Sequence, residues 1–192
     1  MCFEYIHDVE FAADLNVIWN ETLPTLETLK AEGILKHIGV STYPMNVLKA
    51  VLSGAPGRFD TVLCYCRNTL IDDLLKEYLP FFKTNNVAVV CASGHGMGLL
   101  TNAEPQPWHP AHYQTKQICR EAAEYCKLHG VELGKLAMYH FIQLVGPSTF
   151  LCGMQSKALV NINLEAFFDG LTPKELDVLN YLSKCTHTSS SL

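Results

Sequence analysis

Leu35-Lys36-His37-Ile38-Gly39-Val40-Ser41 is a short apolar strand, and the run 44–53 behind it reads as a helix with Pro44 in its first turn. The same unit, strand then amphipathic helix, recurs along the chain in kind rather than in sequence. Residues 3–9 read as a strand and 18–33 as a helix, from the pattern Leu23, Leu26, Leu29 and the polar Glu27, Lys30, Glu32, closed by Gly33. Strand 60–66 precedes helix 70–83. Strand 86–92 precedes a long loop, 93–113, rich in Gly, Pro and His, and then helices 114–129 and 132–144. Strand 148–152 precedes helix 156–168. A last helix, 173–184, opens with Thr172, Pro173 and Glu175 at capping-box spacing.

Strands that are apolar nearly throughout and alternate with helices indicate a parallel sheet covered by helices. Two α/β architectures do this, a doubly wound open sheet and a (β/α)8 barrel. The Gly-x-Gly-x-x-Gly fingerprint follows none of the strands, which weakens the first. Five strands cannot close an eight-stranded barrel, so the expected fold is an incomplete (β/α)8 TIM barrel with two open edges. Residues 1–184 are expected to form this single partial barrel and 185–192 a flexible tail. The chain is expected to be a portion of a longer protein, because chemistry stands only a few residues after Met1, in Ile6-His7-Asp8-Val9-Glu10 at the end of the first strand.

The 192 residues are 48% hydrophobic and 17% charged, which supplies one core. The formal charge of -5 argues against a broad nucleic-acid face, which needs clustered Lys and Arg. No run approaches the ~18 apolar residues of a membrane helix. Glu4, His7, Asp8 and Glu10 interrupt any signal-like core, so a cytoplasmic location is expected. Several of the eight cysteines lie in apolar runs, such as Cys64, Cys66 and Cys91, and read as small buried hydrophobes rather than a disulfide framework.

Taken in order, four segments resemble the aldo-keto reductases, in particular the branch of aldose and galactose dehydrogenases. Ile6-His7-Asp8-Val9-Glu10 resembles that branch's strand four, and Gly33 to Ser41 its strand five. Ala92-Ser93-Gly94-His95-Gly96-Met97-Gly98-Leu99-Leu100-Thr101 is similar to strand seven and the Gly-Leu-Leu-Thr after it. Leu151-Cys152-Gly153-Met154, with Asn163 beyond, is similar to the cofactor segment after strand eight.

The resemblance implies strands four to eight of the barrel with a C-terminal helix, NADP or NAD as cofactor, and hydride transfer to or from aldoses or other small carbonyl or alcohol compounds. Of the family's catalytic Asp, Tyr, Lys and His, the His alone carries over, onto His7; the others would lie upstream of Met1. On its own the chain is therefore expected to lack activity. The alternative is a non-catalytic binding or regulatory remnant of the fold.

The same resemblance implies Ser41 at the nicotinamide carboxamide; read from the residues alone, Ser41 could equally cap the helix near Pro44. It puts Ser93, Gly94, Met97, Gly98 and Leu99 near the pyrophosphate, and Gly153, Gln155, Ser156, Leu159 and Asn163 around the adenine end. Gly153 and Leu159 stand where many members carry the cations that hold a 2′-phosphate, which leaves NAD and NADP both open. Ala92 stands where an aromatic often stacks on the nicotinamide.

Two metal-like patterns have blander readings. Cys64-Tyr65-Cys66 puts two thiols on one strand face, more simply as core. His109-Pro110-Ala111-His112 lacks a second ligand pair and reads as a proline-rich loop. The stripe Tyr139, Phe141, Phe150, Phe167 and Phe168 reads as core. The open sheet edges are expected to allow self-association.

Overall fold

The computed structural model describes residues 3–187. Five parallel strands form one sheet: β1 (Phe3–Ile6), β2 (His37–Thr42), β3 (Thr61–Tyr65), β4 (Ala88–Ala92) and β5 (Thr149–Leu151). Their order is β1-β2-β3-β4-β5. Ile6 lies beside Val40, Val40 beside Val62, Val62 beside Val89, and Cys91 beside Phe150. Each crossover therefore steps in the same direction. A doubly wound sheet would reverse its order at a switch point. The fold is α/β, and the sheet is an incomplete barrel arc with β1 and β5 as its outer strands.

The helices follow the expected alternation, with shifted ends. α1 (Leu15–Val17), a π turn over Ile18–Thr22 and α2 (Leu23–Ala31) form one helical run. The wide turn precedes Pro24, which has no N–H to return to the preceding turn. α3 (Met45–Gly54), α4 (Leu75–Thr84), α5 (Tyr113–Leu128), α6 (Leu133–Ile142), α7 (Lys157–Phe168) and α8 (Pro173–His187) complete the set.

Three expectations are corrected. The first strand ends at Ile6 rather than 9, because Asp8 turns left-handed (φ 55°) into a 3-10 turn over Val9–Phe11. The helix expected from 70 starts at Leu75. Thr69 N–H donates to the Asp72 carbonyl at 2.6 Å, and Thr69 Oγ1 accepts from Ile71 N–H, so the turn residues bond among themselves instead. The aromatic stripe is not one core: Phe141 is fully buried, but Phe168 is 73% exposed and Phe167 also faces solvent. Residues 188–192 of the expected tail lie outside the described residues, and α8 itself runs past 184 to His187.

The chain divides into two compact units. The first runs to Arg67 and adds Leu74–Ala92 and Val145–Leu151, so it holds the whole sheet with α1 to α4. Val40, Val62, Cys64 and Cys91 on the strands are fully buried, as are Leu48 and Val51 of α3 and Leu75 and Phe82 of α4. Each of these Val, Leu and Phe side chains contributes roughly 1.5–3 kcal/mol of burial free energy. The second unit comprises Asn68–Asp73, Ser93–Leu144 and the chain from Cys152 on. Its core is Ala123, Cys126, Val131, Leu133, Leu136 and Val178.

The capping box is formed: Thr172 Oγ1 accepts from Glu175 N–H, and Glu175 Oε2 accepts from Thr172 N–H at 2.8 Å. Lys135 reaches Glu175 at 2.9 Å, tying α6 to α8.

Two carboxylates carry an acid sensitivity. Asp60 accepts from Lys30 Nζ at 2.6 Å and from Ile38 N–H at 2.8 Å. Burial pushes both the Asp60 and the Glu175 carboxyl up, but the hydrogen bonds and lysines outweigh it and hold both below the usual carboxylate range. A carboxyl depressed in the folded state contributes stability above its unfolded pKa and loses it as pH falls through the folded one. The urea midpoint is therefore expected to fall below about pH 4. Asp60→Asn should lower it at neutral pH and flatten the acid limb. An unchanged slope in that variant would contradict the assignment.

Candidate functional site

In the first unit the candidate residues stand at the C-terminal ends of the strands. His7 directly follows β1. Its Nδ1 lies 3.0 Å from Asp8 Oδ1, and its side chain is 66% exposed. The loop carrying it is anchored by Glu10, whose carboxylate accepts from Thr42 Oγ1 at 2.6 Å and from Tyr43 N–H at 3.2 Å. Glu10 thus ties the end of β1 to the end of β2. Its partners lie more than thirty residues away, so no local pattern marks it.

Ser41 is 3% exposed on β2. The helix behind it, α3, has Pro44 at its N-cap and no side-chain cap, so Ser41 does not play the capping role open to it from sequence. Among the described residues no side-chain hydrogen bond holds its hydroxyl. Beside it the Arg67 guanidinium stacks 3.9 Å from the Tyr43 ring centroid, and Arg67 Nε donates to the Tyr43 carbonyl. That pair, which joins the ends of β2 and β3, also escapes sequence reading.

The second unit holds the segment after β4. Ser93 (φ 63°) and Met97 (φ 55°) are left-handed non-glycine residues, a conformation costing roughly 1–3 kcal/mol each. Gly98 (φ 93°) takes a backbone that side chains rarely adopt. The turn satisfies itself. Gly96 N–H donates to Ser93 O, Met97 N–H to Ser93 Oγ, Gly98 and Leu100 N–H to His95 O, and Leu99 N–H to Gly96 O. The amides of Ser93, Gly94 and His95 take no part in that turn. Gly94 is buried, and a Cβ there would collide with the Phe141 ring.

Histidines brace this loop. His95 Nε2 donates to the Gly134 carbonyl at 3.1 Å; burial lowers its pKa, opposed by that bond and by Glu132. His109 is buried. Its Nδ1 accepts from Ala111 N–H, so Nε2 carries the proton and donates to Gly96 O at 2.9 Å. Both ring nitrogens of His109 are thereby used within the loop. Asn102 and Glu132 complete the anchoring: Asn102 N–H donates to Glu132 Oε1, and Leu133 N–H to Asn102 Oδ1.

After β5, Gly153, Gln155, Ser156 and Leu159 are all exposed. Ser156 caps α7, its Oγ accepting from Leu159 N–H at 3.3 Å, which leaves the first amides of that helix open with Lys157 beside them. Asn163 is buried and donates through Nδ2 to Cys152 Sγ at 3.1 Å. Burial pushes the Cys152 thiol up. Burial and the neighbouring Cys91 push the Cys64 thiol up as well, far from thiolate chemistry. Among the described residues no group of three or more His, Cys, Asp and Glu is placed to hold a metal ion. No described helix is long and apolar enough to cross a membrane.

Comparison with known proteins places the chain in a family. The chain is 37% identical to L-galactose dehydrogenase of Arabidopsis thaliana over 163 residues, covering 84% of this chain and 51% of that enzyme. It is 28% identical to D-arabinose 1-dehydrogenase of Saccharomyces cerevisiae over 195 residues, covering 94% of this chain and 58% of that enzyme. The chain thus spans a little over half the length of these curated relatives. An aldo-keto reductase from Bacillus halodurans shares the fold with a TM-score of 0.65 at 21% identity, over 95% of this chain and 60% of that one. Residues 4–184 match the profile of the Aldo/keto reductase family. The chain belongs to the aldo/keto reductase family.

Proposed function

We propose that the chain is the C-terminal portion of a nicotinamide-dependent oxidoreductase acting on aldoses or other small carbonyl and alcohol compounds, and that alone it does not turn over. The main support is the 37% identity to L-galactose dehydrogenase across half of that enzyme. His7 at the end of β1 is the residue that would orient a carbonyl oxygen. A cytoplasmic setting, a small carbonyl or sugar substrate, and self-association through the outer strands belong to the same proposal.

The donors present fit a nicotinamide nucleotide. Ser41 offers a buried hydroxyl to a carboxamide. Ser93, Gly94 and His95 offer amides outside the loop's own bonds, while Met97, Gly98 and Leu99 shape that loop. The N-terminus of α7, with Ser156 and Lys157, favours a phosphate. The nucleotide would supply or accept the hydride, and the chain's residues would bind and orient it. A second reading, a non-catalytic remnant, draws on the exposure of His7 and its pairing with Asp8.

Gly153 and Leu159 bring no cation to a 2′-phosphate. Titration of NADH and NADPH, followed by nucleotide fluorescence, should therefore give affinities within about 100-fold of each other, or about 2.7 kcal/mol. A larger preference for NADPH would refute the assignment after β5.

A further inference from the structure

The second unit contains a cavity of about 230 Å3 between α5 and α8, apart from every residue considered above for the nucleotide. Its walls are apolar at Leu100, Ile118 and Leu133, aromatic at Tyr125 and Tyr181, and acidic at Glu121. The two tyrosine rings stack at 4.2 Å with 14° between their planes, and His129 braces Tyr125 from 4.2 Å. Tyr125 is thus covered on both faces, and Tyr181 is 48% exposed. Glu121 accepts from Gln117 Nε2 at 3.1 Å. Among the described residues no basic side chain pairs with it, and its neighbour Arg120 is engaged with Glu104. Among the described residues no Lys, Arg or His lines the cavity.

An open, largely apolar hollow with tyrosines in its wall, and an exposed carboxylate with no basic partner among the described residues, together match one ligand chemistry. Aromatic rings attract a cation that has an apolar body, and a carboxylate fixes its charged end. A cavity of about 150 Å3 holds benzene, so this one has room for a body of roughly nine or ten non-hydrogen atoms. We propose that the cavity between α5 and α8 is a binding site for a small aryl- or alkylammonium ion, with the ammonium at Glu121 and the apolar body among Ile118, Ala122 and Leu182. The site is independent of the nucleotide reading and stands or falls without it.

The test uses 2-phenylethylammonium and its neutral counterpart 2-phenylethanol, titrated against residues 1–192 by ligand-observed NMR. The ammonium is expected to bind saturably below about 1 mM, and the alcohol about fivefold more weakly. Glu121→Gln should erase that difference. Ala122→Phe, which fills the cavity from α5, should weaken both probes by roughly tenfold with the far-UV spectrum unchanged. Should Ala122→Phe fail to fold, the contrast between the probes on the parent chain and on Glu121→Gln decides alone. Equal binding of the two probes, a difference that survives Glu121→Gln, or no saturation at about 10 mM overturns the proposal.

Discussion

Purified residues 1–192 are expected to show no measurable oxidation of aldoses or reduction of simple aldehydes with NAD(P), and His7→Ala should leave that baseline unchanged. Carbonyl reduction needs a proton at the developing alkoxide as the hydride arrives, and its loss typically slows the reaction by ~10²–10⁴-fold. The side chain beside His7 Nδ1 is the Asp8 carboxylate at 3.0 Å, an acceptor when ionised and not a donor. In the proposed reading the family's Asp, Tyr and Lys have no counterpart in this chain. In the proposed reading His7 orients an oxygen, but orientation without the acid leaves the barrier high. Steady-state absorbance at the reduced nicotinamide band checks this. Robust turnover that disappears in His7→Ala would contradict it and would mean that the acid is present.

The second large effect concerns packing under the loop after β4. Phe141 is fully buried, and its ring occupies the space a side chain at Gly94 would need. Phe141→Ala is expected to cost roughly 3–5 kcal/mol through the cavity it leaves. Gly94→Ala is expected to cost roughly 1–3 kcal/mol through overpacking. The double variant should cost less than the sum, because Cγ and Cδ1 of Phe141 are gone and only the Cβ of residue 141, 2.7 Å from the new Cβ, has to shift. Urea denaturation of the four proteins gives the cycle. Additive costs would mean that Gly94 and Phe141 do not share that space.

Much of this architecture is legible in the sequence. The strands expected at 35–41 and 86–92 stand out because they are apolar nearly throughout, as a buried parallel strand must be, and β2 and β4 form there. The cap at Thr172 and Glu175 is local chemistry three residues apart, so sequence alone finds it. Helix ends are less legible where side chains compete for the backbone: Thr69 holds residues 69–72 in a turn that helical periodicity does not reveal.

Burial depends on which elements meet, and this is why Phe167 and Phe168 read as core yet face solvent. The site shows the same division. The roles proposed for His7, Ser41 and Asn163 come from the order of segments. The anchor at Glu10 and the His109 strut join residues distant in sequence or hidden in a proline-rich loop. The self-bonded amides of 96–100 are likewise a product of backbone conformation, which composition does not record.

The most direct test of the nucleotide reading is a fluorescence titration of NADH into residues 1–192, into Ser41→Ala and into Asn163→Ala, with far-UV spectra confirming that all three are folded. The account predicts weak but saturable binding to the parent chain, and a loss of roughly three- to tenfold in each variant, the size of one neutral hydrogen bond. Saturable binding that neither substitution weakens, or no binding at millimolar nucleotide, would contradict it.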